Sequence, residues 1–109
     1  MATTYKVLGQ SAPSATTDTD LYTVPSATQT VVSTIVIANR DALAATYRIA
    51  VRPGGATLAA EHYIAFEATC PARDSIALTL GITLAATDVI TVYASSSDLS
   101  FSAFGSEIA

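Results

Sequence analysis

The chain has no tryptophan and a single cysteine, Cys70, among its 109 residues. One thiol cannot close an internal disulfide, so a reducing place of synthesis is expected. Basic residues are scarce: five Lys and Arg stand against nine Asp and Glu, a formal charge of −4. No patch of this kind neutralises a phosphate backbone, and nucleic acid is not expected as a partner. Charged residues of both signs make up only 13% of the chain, about half of the usual ~25%. Thr, Ser and Ala must then form much of the surface, or other subunits cover part of it, since interface cores are depleted in charge. The longest apolar stretch, around Val31–Ala38, falls far short of the ~20 residues a membrane helix needs. The opening MATTYKVLG also lacks the basic, apolar and small-residue succession of a signal peptide. No membrane partner is expected.

Catalytic groups are equally thin. His62 is the one histidine, beside Glu61 and near Glu67. Three residues on one strand do not converge into the closed geometry of a zinc site, so no metal is expected. Cys70 needs a base and an orienting group to act as a nucleophile, and Pro71 follows it with no local base. It reads as a small packing residue. Asp18, Asp20, Asp41, Asp74, Asp88 and Asp98 fall in loops or at strand edges, where turn chemistry favours aspartate. There is no glycine-rich phosphate loop. The expectation is a protein without cofactor that is not an enzyme.

What the chain does have is β pattern. Thr30–Ala38 is nearly all β-branched, which suits a pleated surface and stiffens a helix. Apolar on both faces, it reads as a central strand. Tyr47–Arg52 alternates strictly: Tyr47, Ile49 and Val51 point one way, Arg48, Ala50 and Arg52 the other. That is the mark of a half-buried strand. Further strands are expected at Thr4–Leu8, Asp20–Val24, His62–Ala68, Ser75–Leu80, Asp88–Ala94 and Leu99–Phe104. Ile82–Ala86 reads as an apolar connector, Ala56–Glu61 as one helical turn, and Arg52-Pro53-Gly54-Gly55 as a type II turn. About eight short strands spaced by turn residues predict an all-β fold. The expected form is one antiparallel β-sandwich over residues 1–109, immunoglobulin-like or jelly-roll-like.

Two surfaces stand out. Arg48 and Arg52 share one strand face, a fork suited to carboxylates of a neighbouring subunit. Leu99, Phe101 and Ala103 oppose Phe104, with Ile108 further on. A single sandwich buries one of those sets, so Phe104 and Ile108 are expected at a contact between copies of the chain. Tyr22, Tyr63 and Tyr93 are the aromatics available to a sugar platform.

The segments YKVLGQ (Tyr5–Gln10), LYTVP (Leu21–Pro25), VVSTIVIANR (Val31–Arg40), RIAVRPGGATL (Arg48–Leu58), GITLAATDVITVYAS (Gly81–Ser95) and LSFSAFGSEI (Leu99–Ile108) have a familiar succession. Together they resemble a family of small proteins of tailed bacteriophages, notably those of cyanobacteria and other marine bacteria. Members are described as virion structural proteins. The resemblance implies a virion component assembled in the host cytoplasm, with copies of itself and other virion proteins as partners. It does not name the place in the particle; the leading expectation is an oligomeric neck, tail or fibre-associated subunit, with head decoration as one alternative and, from a different class, a carbohydrate-binding host-attachment module as another. It brings no functional residues with it.

Overall fold

The computed structural model describes residues 2–109. Nine strands are present among them: β1 (Thr3–Ser11), β2 (Thr19–Thr23), β3 (Gln29–Asn39), β4 (Ala45–Arg52), β5 (Tyr63–Cys70), β6 (Ser75–Leu78), β7 (Ile82–Leu84), β8 (Val89–Ala94) and β9 (Leu99–Ile108). They form two antiparallel sheets. The first runs β1-β9-β3-β6, with β7 also paired to β3, and the second runs β2-β8-β4-β5. Apart from β4 and β5, no two strands consecutive in sequence pair with each other. With β6 and β7 counted as one interrupted strand, this is the order of a jelly roll, eight strands in two sheets. The immunoglobulin arrangement, with several sequence neighbours side by side, does not apply.

The core lies between the sheets and follows the alternation. Ile35 and Ile37 of β3, Ile49 of β4, Ile90 and Val92 of β8, and Leu99 and Phe101 of β9 are fully buried. Burying each such side chain contributes about 1.5–3 kcal/mol. Tyr47 and Phe101 meet edge to face across the layers, with ring centroids 6.4 Å apart. Cys70 is the last residue of β5 and is fully buried. It packs as a small apolar residue, its Sγ 3.9 Å from the Ile37 carbonyl oxygen.

One line of irregularity crosses the first sheet. In β1, Val7 pairs with Phe104 and Gly9 with Ala103, so Leu8 is an extra residue. In β3, Val32 pairs with Gly105 and Thr34 with Phe104, so Ser33 is extra. Its hydroxyl donates to the Phe104 carbonyl at 3.1 Å. On the far edge of β3, β6 ends opposite Ile35 and β7 begins opposite Val32. The bulges therefore extend into a full strand break, and a bulge bends its strand and increases twist.

This accounts for two departures from the sequence reading. Ile82–Ala86 is not a plain connector, because Ile82–Leu84 pairs with Thr30–Val32. The strand expected over Ser75–Leu80 stops at Leu78, and Leu80 is largely exposed. A third departure is local. The turn after β4 is closed by the Ala56 N–H donating to the Pro53 carbonyl at 3.1 Å. It turns on Gly54 and Gly55, both at positive φ (62° and 71°), so it is shifted one residue from the type II turn. The helical turn expected over Ala56–Glu61 is a short 3₁₀ turn at Ala60–His62.

At Gly105 the backbone of β3 comes close to β9. A β-carbon there would collide with the Val31 carbonyl oxygen and lie 3.0 Å from Val32 Cα. Backbone cannot move aside as a flexible side chain can. Gly105→Ala should therefore lower stability by about 1–3 kcal/mol, the usual cost of overpacking. Urea denaturation measures it.

Candidate functional site

Three clusters of side chains lie outside the plain core. The first is the outer face of the first sheet. β9 has no bulge of its own, so its alternation holds: Leu99, Phe101 and Ala103 are buried and Phe104 faces out, half-buried. Val7 is paired with Phe104 and is 48% exposed, while Tyr5 on the same strand is 84% exposed. Tyr5, Val7, Val31 and Phe104 line one shallow depression with Ser33 and Ser106. Ile108 is half-buried at the far end of β9. It lines two further depressions that share Gln29 and Ala85, and Val31 borders both one of these and the Phe104 depression. The structure thus joins Phe104 to Tyr5 and Val7, with Ile108 further along the same strand. Sequence reasoning missed Tyr5 and Val7, because nothing local reveals that β1 lies beside β9.

The second cluster is on the outer face of the second sheet. Arg48 and Arg52 both face outward, but each finds a carboxylate in its own chain. Arg48 donates from Nε to Glu67 Oε1 at 3.0 Å and from Nη2 to the same oxygen. Its guanidinium carbon lies 4.5 Å from the Phe66 ring centroid and 4.1 Å from that of Tyr93. Tyr63 meets Phe66 edge to face at 4.9 Å. The bond from Arg48 holds the Glu67 carboxyl below its ordinary range, and Glu67 in turn raises the Arg48 pKa. Arg52 donates to Asp20 Oδ1 (3.0 Å), to Thr91 Oγ1 (2.9 Å) and to the Gly55 and Ala56 carbonyls. It ties the turn after β4 to β2 and β8. Both arginines, expected at a subunit contact, thus have carboxylate partners within their own chain.

The third cluster closes one end of the sandwich. Glu107 of β9 reaches across to the second sheet, where the Tyr22 hydroxyl meets its Oε2 at 2.5 Å. That hydroxyl is also 2.8 Å from Thr30 Oγ1, and Lys6 Nζ is 3.1 Å from Glu107 Oε1. Tyr22, counted above among sugar-platform aromatics, is buried and belongs here.

The remaining chemistry-bearing residues are dispersed. His62 Nδ1 accepts the Ala59 N–H at 3.0 Å. Asp88 accepts the N–H groups of Gly54 (2.8 Å) and Ala85 (2.9 Å), pinning two turns. Burial raises the Cys70 thiol pKa, with a smaller push from Asp74. Among the described residues no three His, Cys, Asp or Glu side chains come close enough to hold a metal ion. Comparison with protein-family models, curated proteins and solved structures gave no match.

The third cluster makes stability depend on pH at both ends. Burial, then the bond to Glu107, pushes the Tyr22 pKa from 10.0 up to about 12. A raised pKa means stability present below the unfolded value and lost as pH climbs between the two. The melting temperature should fall from pH 10 to about 12, and less steeply in Tyr22→Phe. Glu107 is held below its ordinary range by the Tyr22 bond, against burial and with help from Lys6. Its stabilisation is present above the unfolded value of about 4.5 and lost as pH falls through the lowered one. Glu107→Gln should be less stable at neutral pH and flatter in acid. Melting curves across pH measure both.

Proposed function

We propose that this jelly roll is a structural subunit of a tailed-phage virion, an oligomeric neck, tail or fibre-associated protein that binds copies of itself and other virion proteins. The observation that carries the reading is the outer face of the first sheet. Tyr5, Val7 and Phe104 stand together on it, with Tyr5 84% exposed. A chain with 13% charged residues has little charge to keep such a face apart from its like. Permanent contacts between subunits are apolar and commonly bury about 2,000 Å² or more.

Two further points support it. The ordered succession of segments from Tyr5 to Ile108 resembles phage virion structural proteins. Jelly rolls also serve as viral coat modules, although the fold alone assigns no function. Head decoration uses the same surface and differs only in where the subunit sits. Catalysis forms no part of the reading.

Light scattering on the purified protein tests it, wild type beside Phe104→Ser. The wild type should be larger than a monomer at tens of micromolar. Phe104→Ser should shift it toward monomer and reduce its incorporation into particles, with the fold intact by circular dichroism. A monomeric wild type, with the variant unchanged in mass and incorporation, would contradict the reading.

A further inference from the structure

The outer face of the second sheet carries a constellation that assembly through the first sheet does not use. Neighbouring residues in a regular strand point to opposite faces, yet Phe66 and Glu67 both face outward and are exposed. The cause is the register of β5 against β4. Tyr47 pairs with Ala68 and Ile49 with Ala65, so two residues oppose Arg48. A second irregularity follows at once, with Ala50 paired to Tyr63. Glu67 itself sits at φ 53°, a left-handed conformation that its β-carbon disfavours. Strain of this kind persists where its surroundings over-determine it and concentrates at binding sites, and bulges re-aim side chains there.

We infer that Arg48, Tyr63, Phe66, Glu67 and Tyr93 form a binding site for a neutral saccharide. Phe66 is 57% exposed and is held by a perpendicular contact with Tyr63 and by Arg48 over its ring. It is a rigid apolar platform, and the C–H face of a pyranose is its complement. Beside it, Arg48 and Glu67 cancel in charge, which favours a neutral sugar over an acidic one on a chain of net charge −4. Both bonds from Arg48 go to Oε1 of Glu67. Arg48 donates and Glu67 accepts beside the ring, and sugar hydroxyls, which do both, match that pair. β5 is an edge strand, so the platform has no walls at its outer side. An open platform admits the middle of a polysaccharide chain, not only its end.

The test is an NMR titration of the full chain with neutral oligosaccharides of glucose, mannose and galactose, each to about 10 mM, a range that captures weak sites. Amide shifts are expected at Arg48, Phe66, Glu67 and Tyr93 with at least one of the three. Phe66→Ala should weaken that binding by about tenfold or more. Phe66→Leu keeps apolar volume without the ring and should weaken it as well. Both substitutions are at an exposed position, and the undisturbed dispersion of the spectrum verifies folding. Silence with all three sugars overturns the inference, and so does binding that survives both substitutions. Either result is independent of the light-scattering outcome, because the two surfaces lie on opposite sheets.

Discussion

The pairing of β3 with β9 is the constraint on which the rest depends. It joins Gln29–Asn39 to Leu99–Ile108 along their full length, two segments far apart in sequence. Until β9 docks, β1 has no neighbour and the first sheet is not complete. Non-local pairings of this kind make β-sandwiches slow to fold. The close crossing at Gly105 sets how near the two strands come. The bulges of β1 and β3 fall close by, at Leu8 and Ser33. Because β9 itself stays regular while β1 and β3 each carry an extra residue, Leu8 is turned into the core and Phe104 remains outside beside Val7. The apolar outer face is thus a consequence of how the last strand is seated.

The two outer faces are of different chemical kinds. The first sheet presents Tyr5, Val7 and Phe104 with few charges, a surface that is stabilised by burial. The second sheet presents ion pairs and rings already stacked on Arg48. Those groups are organised before any partner arrives, so ordering them adds little cost to binding. Glu107 and Tyr22 hold the layers together at one end. A subunit built this way can dock through one sheet and leave the other free.

Much of this was legible in the residues. The alternation of Tyr47, Ile49 and Val51 against Arg48 and Arg52 placed β4 and its outward arginines, since β4 runs in unbroken register with β8. The β-branched run from Val31 to Ile37 placed β3, because such side chains fit a pleated surface. The opposition of Phe104 to Phe101 was visible within one strand. What was hidden depends on partners distant in sequence. Phe66 and Glu67 share a face only because β4 imposes a bulge on β5. Tyr5 joins Phe104 only because the first and last strands are neighbours. Ile82–Leu84 is a strand only because β3 offers it an edge beyond the break at Gly81. Tyr22 looked like an exposed ring until Glu107, at the other end of the chain, supplied its hydroxyl with a partner.

Hydroxyl-radical footprinting of purified phage particles, read by mass spectrometry against the free protein diluted to monomer, tests the central claim most directly. Tyr5 and Phe104 should label readily in the dilute protein and be strongly protected in the particle, while Leu43, exposed on the β3–β4 loop at the Leu99 end of β9, changes less. Equal labelling of Tyr5 and Phe104 in both samples, or absence of the chain from the particles, would contradict it.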